Sequence, residues 1–208
     1  MKNYYIFIAI GIIVLVFTFI CWDYIADLII GLEGNRRFTR LIKKVAKSND
    51  YLVLSDICVR LADNNFGVIK HLVIADKYIY AIDGKTIIGS VTGKSEDEKW
   101  INQDVKKVHI ENPVKANRRL INALTRQLNE LSNDVVNVVI FAKTAIVDKI
   151  IFDNPLEAVI EEDEFFGYLK MMEKTADVND IDPSAAELLV KKINQISASN
   201  YKIRNSIY

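Results

Sequence analysis

Two residues apart, Asp83 and Lys85 offer a carboxylate and an ammonium with Gly84 between them. Residues i and i+2 of a strand face the same side, so the two groups work together if the strand continues through Gly84. Carboxylate oxygens are ligands for divalent cations such as Mg2+ and Mn2+. A single carboxylate is a thin ligand set for that chemistry, and Asp56, Asp63 and Glu33 are the candidates to supplement it. His71 sits in an apolar run and reads as a core or sheet-face residue, while His109 is isolated. Residues 89–95 read GxxxGKS, one residue short of a phosphate-binding P-loop. They fall between strands rather than before a helix, and are expected to form a turn.

The chain has 27 basic and 27 acidic residues among 208, so net charge selects no partner. Local charge is less even. Arg36, Arg37, Arg40, Lys43 and Lys44 form one basic cluster, and Lys115, Arg118, Arg119 and Arg126 form another. Acidic residues gather at 157–164. A basic face on a neutral domain can meet nucleic-acid phosphates or anionic headgroups; solvated helix faces produce the same pattern. Cys21 and Cys58 imply no disulfide framework.

Between Lys2 and Asp23 no side chain is charged. Twenty residues at 1.5 Å rise span about 30 Å as a helix, matching a bilayer's hydrocarbon core. Tyr4 and Tyr5 at one end, with Trp22 and Tyr24 at the other, suit interfacial belts. The run ends Phe19-Ile20-Cys21-Trp22, which offers a signal peptidase no small-residue site. A single N-terminal membrane span is therefore expected within residues 1–30, in preference to a buried core helix. The excess of Arg and Lys after it predicts a cytoplasmic soluble part.

The elements that must hold Asp83 and Lys85 follow from periodicity. Residues 35–47 carry Phe38, Leu41, Ile42 and Val45 on one helical face. Strands are expected at 51–59, 68–75 and 78–83, the last two joined by a turn at Asp76-Lys77, with further strands at 86–91 and 105–110. Asn112-Pro113 caps a helix expected over 114–131. Residues 135–141 form an apolar run suited to a strand buried on both faces. Helices are expected at 162–174 and from Asp182-Pro183 to about Ile196. This order implies an α/β domain with a mixed sheet flanked by helices.

In this order the motifs resemble the nuclease-related domain (NERD) family of the PD-(D/E)xK nuclease superfamily. Gly31-Leu32-Glu33-Gly34-Asn35 resembles its opening GxxGE, and Ile69-Lys70-His71 its IDH strand. Ile82-Asp83-Gly84-Lys85 resembles its IExK strand, with Gly89, Gly93 and Trp100 continuing the pattern. Asn112-Pro113-Val114-Lys115-Ala116-Asn117 resembles its NPxxQN segment. The resemblance implies a restriction-endonuclease-like domain over 31–152, with C-terminal helices over 153–208 packing on it or extending from it. It also implies two carboxylates that bind Mg2+ or Mn2+, a lysine beside them, and phosphodiester cleavage by activated water.

The departures from that pattern cluster. Asn35 replaces the opening glutamate, Lys70 the aspartate of the IDH strand, and Ala116 the glutamine of NPxxQN; Asp83 is a shortened glutamate. Two unit charges 4 Å apart interact by about 4 kcal/mol at an effective dielectric of 20. An ammonium at residue 70 would repel a divalent ion by about twice that. Lys70 is expected instead to pair with Asp83, or to turn to solvent, so no metal is expected. The leading expectation is a membrane-anchored, catalytically impaired domain that binds nucleic acid or a protein partner. The alternatives are an active metal-dependent nuclease using Asp83 and Lys85, and an assembly component of a membrane complex. In the last case Phe165, Phe166, Leu169 and Met172 of the C-terminal helices would supply the contact.

Overall fold

The computed structural model describes residues 14, 16, 34–62, 65–103, 107–129, 135–175 and 177–207. The expected membrane span lies outside them except for Val14 and Val16, which are helical and exposed. No helix among the described residues is long and apolar enough to cross a membrane.

Helix α1, described over 34–48, buries Phe38, Ile42, Val45 and Ala46. Asp50, with φ of 60°, turns the chain out of the helix while the Tyr51 amide bonds the Ala46 carbonyl at 3.0 Å. Three antiparallel strands follow, β1 (Leu52–Arg60), β2 (Phe66–Ile74) and β3 (Ile79–Lys85). Next come β4 (Gly89–Lys94), β5 (Lys99–Gln103) and β6 (Lys107–Glu111), and then helix α2 (Pro113–Leu128). The chain continues through β7 (Val135–Phe141), β8 (Ala145–Ile151), β9 (Glu157–Glu161), α3 (Phe165–Met172) and α4 (Pro183–Ile207).

Two mixed sheets result where one was expected. The first has the order β1-β2-β3-β7-β9, and the second the order β6-β5-β4-β8. A single parallel ribbon runs through both. Ile79 faces Val135 and Lys85 faces Phe141 in the first sheet; Gly89 faces Ala145 and Val91 faces Val147 in the second, at an unchanged offset. The bend between them is held by Ala142 N–H to Lys85 O at 3.0 Å and by Thr144 Oγ1–H to Ile87 O at 2.8 Å.

Helices α1 and α3 cover one face of the first sheet, packing Phe38, Ile42, Phe165 and Leu169 against Tyr80, Ile82, Val138 and Ile140. Helices α2 and α4 cover the other, packing Ile121, Leu124 and Ile193 against Ile57, Ile69, Leu72 and Ile79. A third cluster, with Trp100, Val91, Val114 and Phe141, joins the second sheet to the start of α2. β1 is an edge strand, and α4 satisfies the free backbone groups of its Cys58. Ser197 accepts from the Cys58 amide at 3.0 Å, and Asn200 donates to the Cys58 carbonyl at 2.9 Å. That role explains why α4 extends well beyond Ile196.

Several expectations need correcting. Residues 89–94 form strand β4 rather than a turn. Gly93 is required there because a Cβ would sit 2.2 Å from the Trp100 ring. The strand expected at 86–91 is this one, displaced toward the C-terminus. Strands β5, β8 and β9 were not anticipated, and α3 is shorter than 162–174. Phe165 and Leu169 are buried and Met172 packs on the core, so only Phe166 of the proposed contact face is exposed.

Candidate functional site

Asp83 and Lys85 stand where β2 and β3 part. The β2–β3 ladder runs from Ile74 opposite Ile79 to His71 opposite Ile82 and stops there. Lys70 and Asp83 would be the next pair. Beyond that point β2 follows β1 while β3 follows β7, with Asp83 opposite Val139 and Lys85 opposite Phe141, so a fork opens between them. Helix α1 presses on β3 at this level. A Cβ on Gly84 would lie 2.3 Å from the Phe38 ring, so only glycine fits between Asp83 and Lys85 without displacing that ring.

The other arm of the fork is irregular. Asp56 adopts φ of 53°, in the left-handed region that non-glycine residues rarely occupy. Across it β1 changes faces: Ser55 reaches His71 beneath α1, whereas Ile57 packs in the cluster under α2 and α4. Tyr201 of α4 donates to the Asp56 carbonyl at 3.0 Å and steadies this kink.

Two separate ion pairs occupy the fork. Lys85 Nζ lies 2.8 Å from Asp83 Oδ2, and Lys70 Nζ lies 3.5 Å from Asp56 Oδ1. The expected Lys70–Asp83 pair does not form, because the strands diverge there and the kink at Asp56 offers Lys70 a nearer carboxylate. Lys70 and Asp56 are 48% and 65% exposed, so water screens their pair.

His71 is buried, and its tautomer follows from its neighbours. The Thr39 hydroxyl donates to the Asn35 carbonyl at 2.8 Å, so its oxygen accepts from His71 Nε2 at 3.2 Å. Nδ1 then accepts from the Ser55 hydroxyl at 3.0 Å. Burial pushes this imidazole below its usual range; Asp56 and Asp83 oppose the shift, and Lys43 and Lys70 reinforce it. His71 is thus a neutral, satisfied sheet residue, as its apolar context suggested.

A cleft of about 380 Å³ lies between α1 and the fork, lined by Asn35, Arg36, Thr39, Arg40, Asp56, Lys70 and His71 among others. Three full cations against one carboxylate make its wall positive. Asp83 and Lys85 do not line it. Ala116 lies elsewhere, in a depression between the β5–β6 hairpin and α2 that also includes His109, Lys115 and Arg119. The structure therefore gathers Asn35 and Lys70 in one cleft, sets Asp83 and Lys85 at its side, and separates Ala116. Glu33 and Asp63 lie outside the described residues.

Sequence reasoning missed a second polar centre, buried where α2 meets the sheets. The Asn112 side chain caps α2 by accepting from the Lys115 amide at 3.1 Å, and it donates to the carbonyls of Ser95 and Asp97 at 3.0 and 2.8 Å. Asn117 donates to the Ala81 carbonyl of β3 at 3.0 Å and to Asn137 Oδ1 of β7 at 2.9 Å. Arg118 forks onto Glu157 of β9 through Nε and Nη2, at 2.6 and 2.7 Å. That pair of hydrogen bonds holds the guanidinium above its usual range, against the opposing effect of burial. The available signal was Asn137, one polar residue in the middle of an apolar run.

The family model of the nuclease-related domain matches residues 30–142, from the segment before α1 through β7. No curated protein and no solved structure matches the chain.

Proposed function

Because this chain belongs to the nuclease-related domain family, we propose that it is a catalytically impaired, membrane-tethered member that binds a nucleic-acid backbone without cutting it. The observation that carries this reading is the pairing at the fork, where each carboxylate already faces a lysine, Asp83 with Lys85 and Asp56 with Lys70. Mg2+ and Mn2+ need several oxygen ligands. Among the described residues no group of three or more His, Cys, Asp or Glu is arranged to hold a metal. Among the described residues the donor set at the fork does not fit a divalent cation.

Binding needs less. Arg36, Arg40 and Lys70 present cations along one open cleft, and phosphate oxygens are the ligands such a wall favours. The tether rests on the uncharged run at residues 3–22, and the cytoplasmic placement on the basic residues that follow it.

The test uses the full chain in detergent, a labelled DNA duplex and filter binding. Three phosphate contacts predict a log–log salt slope of about −2.7, an affinity loss of about 40-fold between 50 and 200 mM salt. Arg40→Glu with Lys70→Glu should abolish binding, while plasmid incubated with Mg2+ or Mn2+ stays intact. Salt-independent or absent binding removes the nucleic-acid reading. Nicking that is lost on Asp83→Ala restores the active-nuclease reading instead.

A further inference from the structure

The six cations of α1, Arg36, Arg37, Arg40, Lys43, Lys44 and Lys47, are all exposed, and residues 34–48 include no acid. At 100° per residue, five of them (all but Arg37) fall within an arc of about 100°, opposite the face carrying Phe38, Ile42, Val45 and Ala46. Arg37 pairs with Glu162; among the described residues the other five make no ion pair. Arg36 and Arg40 line the cleft, whereas Lys43, Lys44 and Lys47 stand outside it. The nucleic-acid reading therefore leaves these three lysines without a role.

We infer that Lys43, Lys44 and Lys47 seat the exposed face of α1 on an anionic lipid leaflet, so that the domain lies against the membrane in a defined orientation. This rests on the tether proposed above. The uncharged run ends at Trp22 and the described part of α1 starts at residue 34, so eleven residues separate them in sequence. Fully extended, these reach about 40 Å, so α1 never leaves the neighbourhood of the bilayer. A tether of that length turns weak attraction into sustained contact, because the partner surface is always present at high effective concentration. Lysine ammoniums are compact, hydrated point charges, suited to a diffuse headgroup layer more than to a bidentate site. The opposite face of α1 is committed to the sheet, so docking requires no unfolding.

The full chain is reconstituted into nanodiscs of phosphatidylcholine, alone or with one third phosphatidylglycerol. Lysines are acylated briefly, and the rate at each is read by mass spectrometry. Lys43, Lys44 and Lys47 should react at least about fivefold more slowly in the anionic discs, with the difference lost in 0.5 M salt. Exposed Lys99 and Lys202 should react alike in both. Equal rates at Lys43, Lys44 and Lys47 in a chain retained by the discs would overturn the docking alone. A chain that elutes apart from the discs would overturn the tether and the docking with it. Slowing that appears only after an oligonucleotide is added would give the stripe to nucleic acid and overturn the lipid assignment.

Discussion

The fork between β2 and β3 and the polar centre under α2 are built from the same kinds of residue with opposite consequences. At the fork, Asp56, Lys70, Asp83 and Lys85 keep contact with water, and their side chains are 19–65% exposed. Under α2, Glu157 has a side chain only 1% exposed, and Asn112, Asn117 and Asn137 are buried. Screened pairs contribute little to stability, whereas a buried charge that loses its partner is costly. The proposed reading divides along the same line. Asn112 and Asn117 hold α2 to the loop after β4 and to β3. On that reading Asn35, Lys70 and Ala116 stand where nuclease chemistry has been lost.

Removing Arg118 should produce the largest effect. Arg118→Ala leaves Glu157 buried and unpaired, at a cost of about 3–5 kcal/mol in urea denaturation of the full chain in detergent. Arg118→Met with Glu157→Leu should recover most of that loss. A single-variant loss below about 1 kcal/mol would erase the contrast between the two regions. Next, Asn117→Ala removes the donor to the buried Asn137 Oδ1 and to the Ala81 carbonyl, and should cost about 1–3 kcal/mol by the same measurement.

A pH series sharpens the position of His71, which is buried yet borders the fork. Its folded-state pKa lies below the unfolded value of about 6.5, so the unfolded chain takes up the proton first. Stability is intact above about pH 6.5 and falls as pH drops toward the folded pKa. Comparing denaturation midpoints for wild type and His71→Gln at pH 7.5 and 5.5 isolates this contribution, which the variant should lack. The smallest effect belongs to Lys70→Met, expected within about 0.5 kcal/mol of wild type because its pair with Asp56 is exposed. A loss of several kcal/mol there would make the fork a structural centre like the other.

Elements with local signals were legible in the sequence. Asn112-Pro113 announced the start of α2, and the spacing of Phe38, Ile42 and Val45 announced the buried face of α1. Strand β9 carried no comparable signal, since its place beside β7 depends on a parallel partner twenty residues away. Strand β4 was obscured by Gly89 and Gly93, which read as turn residues until Trp100 is seen lying against Gly93. At the candidate site the charged residues were identifiable, but their partners were not. Arg118 and Glu157 sat in clusters that solvated surfaces would equally produce.

What the chain's own order of residues determines is the alternation of elements, the capping of its helices and the charges available near β3, because these depend on neighbours a few positions apart. Which charges meet was decided only in three dimensions. Lys70 turns to Asp56 because β2 pairs with β3 only from His71 onward and β1 kinks at Asp56, and neither event has a local cause visible in sequence. Burial then sets how much each meeting matters, since the same carboxylate and cation interact weakly in water and strongly away from it.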